Sequence, residues 1–140
     1  MAVALVDAGP LVALFDAADQ GFERTARAIA TAQSSGVRLL TTWPCITEAS
    51  YLLSPRHHQG MLRWIAEGGI QVYPFESSDL EDMLSWMAAY TEPKKILMDF
   101  ADASLYWVAV HTGTNLVFTK DQRDFLRYRL PDGRAFEILQ

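Results

Sequence analysis

The sequence predicts a three-layer α/β/α domain, with helices on both faces of a mainly parallel sheet of four to five strands. Short apolar runs of strand length alternate with segments of helical periodicity, and glycine or proline marks many of the boundaries. Strands that alternate with helices are typical of parallel sheets buried on both faces. A chain of 140 residues fits one compact core, so we expect residues 1–140 to form a single domain.

The first half of the chain begins with a strand and continues as helices around a second strand. The first strand candidate, Val3–Val6, ends at Asp7, and Pro10 suits the first turn of the helix that follows. A second helical pattern begins at Phe22 and stops at Gly36. The next elements are a strand at 37–42, a helix opened by Pro44 and, after an interruption at Pro55, a helix at 59–66.

Strand and helix patterns continue to alternate in the second half. Residues 70–73 alternate apolar and polar side chains, and Ser78 with Glu81 forms a capping-box pattern at the head of a helix. The apolar positions of that helix keep helical spacing at Leu80, Met83, Leu84 and Met87. The remaining elements are a helix at 100–111 stopped by Gly113, a strand at 115–118 and a short strand at 135–139.

The composition favours a globular protein of the cytoplasm. Half of the residues are apolar and 21% are charged, and every apolar run is shorter than the roughly 18 to 20 residues that cross a bilayer. We therefore expect no membrane segment, and the N-terminus has no pattern of a secretory signal. Cys45 is the single cysteine, which excludes an internal disulfide and a cysteine-based zinc cluster, and we interpret it as a core residue.

The formal net charge of −5 limits how this chain could bind nucleic acid. A protein that grips phosphates electrostatically is normally basic on at least one face. An acidic protein can still act on RNA if bound cations reverse the local field. The basic residues are concentrated near the C-terminus, at Lys120, Arg123, Arg127, Arg129 and Arg134.

Two carboxylates lie where the ends of parallel strands should meet. Asp7 follows the first strand, and Asp121 comes just after the strand at 115–118. Ligands of open parallel sheets bind beyond the carboxyl ends of the strands, where the strand order reverses. Alternatively, Asp7 satisfies backbone donors at the strand end, and Asp121 caps a helix.

Glu48 is the carboxylate that a purely structural role explains least well. It lies in the otherwise apolar helical segment ITEASYLL, with Leu52 one turn along on the same face. A carboxylate buried there must be paired, protonated or bound to a cation, because a lone buried charge is costly.

Three more aspartates accompany this set. Asp99 and Asp102 are three residues apart and share a face at the start of the helix at 100–111, and Asp124 follows Asp121 by the same spacing. A structural alternative is that Asp99 caps the helix and that Asp102 and Asp124 complement helix dipoles.

An all-oxygen ligand set would suit Mg²⁺ or Mn²⁺ better than zinc. Such an ion would lower the pKa of a bound water and shield charge on a leaving oxygen. We assign no catalytic role to His57, His58 or His111.

The order of these residues resembles that of the PIN-domain nucleases over nearly the whole chain. An Asp follows the first strand, a Glu lies on a helix, an Asp begins a later helix, and a T-x-D sequence precedes the last strands. The segments that carry the resemblance are VDAGPLVALFD, ITEASYLL, MDFADASLYWVA and FTKDQRDF. Within the family, the size and the last two segments are most similar to VapC-type toxins of toxin–antitoxin modules.

The resemblance implies a metal-dependent endoribonuclease of the prokaryotic cytoplasm that leaves 5′-phosphate and 3′-hydroxyl ends. Its implied catalytic and metal-binding residues are Asp7, Glu48, Asp102 and Asp121, with Asp99 and Asp124 as auxiliaries. The implied cofactor is Mg²⁺ or Mn²⁺, and the implied partners are an RNA substrate, a cognate antitoxin and a second copy of the chain. The substrate-binding candidates are Thr119, Lys120, Arg123 and Arg127.

One departure from the family pattern concerns a hydroxyl near the first Asp. Many relatives have Ser or Thr there, where this chain has Ala8 and Gly9, so Thr119 is the nearby hydroxyl expected to order the site. Among the tryptophans, which we expect in the core or at interfaces, Trp43 lies closest to Glu48 in sequence.

Three alternatives remain at the level of sequence. A phosphatase or receiver-like domain is disfavoured because Ala8, Gly9 and Pro10 follow Asp7, where that chemistry needs a second acid. A catalytically weak binding module on the same fold is the second alternative. An RNA-processing nuclease outside a toxin module is the third.

Overall fold

The computed structural model describes residues 2–92, 95–96 and 98–139. Its strands are β1 (Val3–Val6), β2 (Arg38–Thr41), β3 (Gln71–Val72), β4 (Thr91–Glu92), β5 (Lys95–Ile96), β6 (Leu116–Phe118) and β7 (Glu137–Leu139). Its helices are α1 (Ala8–Phe15), α2 (Phe22–Ser34), α3 (Trp43–Leu52), α4 (Pro55–Ala66), α5 (Leu80–Ala89), α6 (Phe100–Thr112) and α7 (Gln122–Arg127). None of these helices is long and apolar enough to cross a bilayer.

Five strands form a parallel sheet in the order β3-β2-β1-β6-β7. The chain builds outward from β1 on one side as far as β3, then crosses to β6 on the other side. The strand order therefore reverses between β1 and β6, where open α/β sheets bind their ligands. The register pairs Val6 with Phe118, and the Asp7 amide donates to the Phe118 carbonyl at 3.0 Å.

Apolar side chains alternate across the sheet and fill a core on each face, as the period of a strand requires. Leu5 belongs to the core cluster of α5 and α6, whereas Ala4 and Val6 belong to that of α1 and α4. The predicted three-layer α/β/α class, with a parallel sheet of five strands, is confirmed.

Two helix starts differ from the sequence prediction. Helix α4 begins at Pro55, because Ser54 caps it by accepting from the His57 amide, so this proline opens the helix and does not interrupt it. The capping box is formed by Glu76 and Asp79, not by Ser78 and Glu81. A 3₁₀ turn at Ser77–Asp79 precedes α5 and moves the box upstream.

The antiparallel pair of β4 and β5 was not predicted. Each strand has only two described residues, which is too short for a periodic pattern. By contrast, α6 ends as predicted at Gly113, whose φ of +78° is the left-handed conformation that glycine adopts most easily.

Candidate metal centre

A hollow of about 180 Å³ opens at the carboxyl ends of β1 and β6. All four residues of the predicted metal-binding set line it, together with Asp99. The carboxylates that line it are Asp7, Glu48, Asp99, Asp102 and Asp121. The fold therefore gathers side chains from four separate segments of the sequence into one acidic depression.

Asp7 lies at the floor of the hollow, 6% exposed. One carboxylate oxygen accepts from the Ala8 amide at 2.8 Å, so Asp7 also caps α1, and the Cys45 thiol lies 3.8 Å from that oxygen. The other oxygen accepts from the Thr119 hydroxyl at 2.8 Å. Burial raises the pKa of Asp7 above its ordinary value, although the hydrogen bonds from Thr119 and Ala8 oppose the shift.

Thr119 connects two of the predicted ligands. Its hydroxyl donates to Asp7 and accepts from the Asp121 backbone amide at 2.9 Å. The Thr119 side chain is buried, so its hydroxyl orients the acidic residues. A residue that contacts substrate would be expected to face solvent. This hydroxyl stands next to Asp7, as expected from the lack of a Ser or Thr at positions 8 and 9.

Gly9 lies in close contact with the side chain of Lys120. A Cβ added at Gly9 would lie 3.1 Å from Cβ and Cγ of Lys120, so that side chain would have to shift slightly. The Lys120 stem thus packs over Gly9, and its ammonium forms an ion pair with Asp19 at 2.7 Å. Lys120 also lines the hollow and is the basic residue that the structure places at its edge.

Asp102 is the second buried carboxylate, 5% exposed, in the first turn of α6. Asp99 caps this helix by accepting from the Asp102 amide at 2.9 Å, as the structural alternative predicted. The Tyr128 hydroxyl donates to the Asp102 carboxylate at 2.7 Å. Burial, followed by the charges of Asp7 and Asp99, raises the pKa of Asp102 to about 8.

Asp124, predicted as an auxiliary ligand, lies beside two of the main predicted ligands. One oxygen each from Asp102, Asp121 and Asp124 lies within 4.8 Å of the others, a grouping that could hold a cation. Asp121 stands at the start of α7, yet its side chain makes no capping hydrogen bond within the described part of the chain. Burial and the neighbouring Asp124 raise the pKa of Asp121 to about 6.

Glu48 is exposed, so the expectation that it is buried was wrong. Helix α3 packs on the core through Cys45, Ile46 and Ala49 and turns the face that carries Glu48 outward. Its carboxyl group still lies close enough to the acidic residues for its pKa to be raised, by partial burial first and then by Asp99.

A larger groove of about 620 Å³ adjoins the hollow. Glu48 and Asp99 line both depressions. Most of the other residues that line the groove are aromatic. Of these, Trp43 is 56% exposed, Tyr51 is 88% exposed and Phe100 is 44% exposed. Trp43 is therefore a surface residue here, whereas Trp107 is buried in the core.

The two predicted arginines lie on α7, directly after Asp121. Arg123 and Arg127 are both exposed. Neither arginine is among the residues that line the hollow in the described part of the chain.

The donor set fits a hard divalent cation. All of its charged groups are carboxylates, and oxygen ligands of this kind suit Mg²⁺ or Mn²⁺. The balance of desolvation and like charge disfavours the ionised forms of Asp7, Asp102 and Asp121 and raises their pKa values. A bound cation would reverse that balance.

Stability of the metal-free protein should decrease as the pH rises. The folded-state pKa values of Asp102 and Asp121, about 8 and about 6, lie above 3.8, the value for an unperturbed Asp. Between about pH 4 and 8 the folded state therefore holds more protons than the unfolded state, and the free energy of unfolding decreases with pH. We expect the Tm to be about 5 °C lower at pH 8.5 than at pH 5.5 in the presence of a chelator.

A thermal melt across this pH range checks the expectation. A divalent cation that binds the carboxylates of the folded state should restore most of the lost Tm when it is added at high pH. The Asp102→Asn variant, which cannot ionise at this position, should show a weaker pH dependence. A Tm that rises from pH 5.5 to 8.5 without metal would contradict the electrostatic description.

Comparison with known proteins gives an independent result. No curated protein matches the sequence. Among solved structures, the fold is similar to that of VapC20 from Mycobacterium tuberculosis, a toxin that cleaves the sarcin–ricin loop, with a TM-score of 0.69 and 19% sequence identity. The match covers 86% of this chain and 92% of that one.

The PIN-domain family model matches residues 4–130, which include all six aspartates and glutamates of the candidate metal centre. This match extends over most of the chain and agrees with the resemblance seen in the sequence. The chain belongs to the PIN-domain family.

Proposed function

We propose that this protein is an endoribonuclease that hydrolyses RNA phosphodiester bonds with the help of Mg²⁺ or Mn²⁺. The observation that carries the proposal is the cluster of carboxylates between β1 and β6, where the strand order of the sheet reverses. Within this cluster the pKa of Asp102 is raised to about 8. When bound, the cation supplies an activated water and stabilises charge at the phosphorus and the leaving oxygen. The proposed ligands are Asp7, Glu48, Asp102 and Asp121, with Asp124 and Asp99 as auxiliaries.

The other residues of the site have supporting roles in this proposal. Thr119 orients Asp7 and the backbone of Asp121 through the hydrogen bonds described above. Lys120, Arg123 and Arg127 hold the RNA backbone beside the acidic hollow, where phosphate contacts position a substrate without reading its sequence. Lys120 must exchange its ion pair with Asp19 for a phosphate, which costs little at an exposed position.

We further propose that the protein is the toxin of a type II toxin–antitoxin module in a prokaryotic cytoplasm, with residues 1–140 as one nuclease domain. The family and the similarity to a toxin structure support this. An antitoxin would then be the cognate partner. An RNA-processing nuclease outside such a module is the competing assignment, and a neighbouring gene for a short DNA-binding antitoxin distinguishes the two.

We also propose a homodimer that is formed through the aromatic groove of Trp43, Tyr51 and Phe100. Apolar patches of this kind on a folded protein usually mark an interaction surface. Phe100 also lines a second apolar depression, whose other walls are Leu80, Met83, Leu84 and Met87. The two depressions therefore share Phe100 as a lining residue, and Leu84 in the second one is also exposed.

The Asp7→Asn variant tests the nuclease. We expect cleavage of a structured RNA with Mn²⁺ to decrease by about 100-fold or more, because the ligand loses its charge. The Tm of the metal-free variant should be unchanged or higher, because burial disfavours the ionised form of Asp7.

The matched control is Glu81→Gln, which removes an exposed carboxylate at the start of α5. This variant should cleave at the wild-type rate. Wild-type cleavage by Asp7→Asn would refute the metal-dependent nuclease, and a strongly lowered Tm would assign Asp7 a structural role instead.

The Tyr51→Asp variant tests the dimer. Tyr51 is 88% exposed, so the substitution should not disturb the folded chain but should place a charge in the proposed interface. Light scattering after gel filtration should find a dimer for the wild type and a monomer for the variant. Leu62→Glu on α4 is the control and should remain dimeric. A monomeric wild type at micromolar concentration would contradict this proposal.

A further inference from the structure

Tyr128 is a buried aromatic residue that neither the sequence pattern nor the family resemblance singled out. It follows α7 directly, and its side chain is fully buried in the core cluster that also contains Phe125, Leu130 and Phe136. Its hydroxyl group nevertheless reaches a carboxylate of the metal centre and donates to Asp102 at 2.7 Å.

The ring of Tyr128 is held on two sides. It makes edge-to-face contacts with Tyr90 and Phe125, with ring centroids 5.0 and 5.2 Å apart. The aromatic packing therefore fixes where the hydroxyl lies, and side chains locked in this way position a functional group well.

The backbone of Tyr128 makes a second connection to the site. Its amide donates to the carbonyl of Asp124 at 3.2 Å and so closes the end of α7. One residue thus contacts the carboxylate on α6 through its side chain and the acidic helix α7 through its backbone. These are the two helices whose carboxylates Asp102, Asp121 and Asp124 approach one another.

We infer that Tyr128 is a positioning residue for the metal centre, whose hydroxyl holds one oxygen of Asp102 so that the other oxygen is oriented toward the divalent cation. The inference rests on the proposed metal site. Each of the two buried carboxylates then has one hydroxyl partner: Tyr128 donates to Asp102, and Thr119 donates to Asp7. Mutation of a residue that hydrogen-bonds to a metal ligand and orients it typically lowers metal affinity or activity by about 10- to 100-fold.

The alternative is that the hydrogen bond between Tyr128 and Asp102 has a purely structural role. A buried hydroxyl needs a partner, and Asp102 would then be only the acceptor that satisfies it. In that case the loss of the hydroxyl would lower the Tm but would leave the affinity for a cation unchanged. Metal affinity therefore distinguishes the two roles.

The experiment compares Mn²⁺ binding by the full-length wild type and Tyr128→Phe, read from the electron paramagnetic resonance of free Mn²⁺. The variant keeps the ring and its packing, so we expect it to fold and to bind Mn²⁺ about tenfold more weakly. The control is Tyr106→Phe, which removes a hydroxyl that donates to the Arg129 carbonyl and does not contact the acidic residues. Its Mn²⁺ affinity should equal that of the wild type.

A double-mutant cycle with Asp102→Asn completes the test. In that background the loss of the Tyr128 hydroxyl should weaken Mn²⁺ binding by much less than tenfold, because the two residues act as a unit. Equal affinity of Tyr128→Phe and the wild type would overturn the inference, as would equal losses in Tyr128→Phe and Tyr106→Phe. A wild type that binds no Mn²⁺ would instead refute the proposed metal site itself.

Discussion

The pairing of β1 with β6 is the constraint on which the candidate metal centre depends. Because Val6 is in register with Phe118, the next residues of the two strands, Asp7 and Thr119, come side by side as the strands end. The Thr119 hydroxyl then joins Asp7 to the backbone of Asp121. A slip of one residue in this register would point Asp7 to the opposite face of the sheet and would break its hydrogen bond with Thr119.

The carboxylates at this point oppose the stability of the fold that gathers them. Burial and like charge disfavour their ionised forms, and the apolar cores on both sides of the sheet must compensate for that cost. A protein optimised for stability alone would not place Asp102 where its pKa rises to about 8. Such a departure is expected at a functional site, where a ligand supplies the missing charge.

The sequence was sufficient to predict the architecture and to name the acidic residues that the fold brings together, because strand and helix periods are local and the family order of acids is distinctive. It could not predict the exposure of Glu48, since which face of α3 meets the core depends on tertiary packing. Tyr128 also escaped notice. A tyrosine between two arginines gives no signal of function in the sequence, and its contact with Asp102 spans 26 residues of sequence.

The central claim is that these carboxylates form one site for a divalent cation. Anomalous diffraction from crystals of the protein grown with Mn²⁺ tests it most directly. We predict a manganese peak within coordination distance of Asp102, Asp121 and at least one of Asp7 and Asp124. A structure at saturating Mn²⁺ in which the ion binds elsewhere, or in which these side chains point away from one another, would contradict the account.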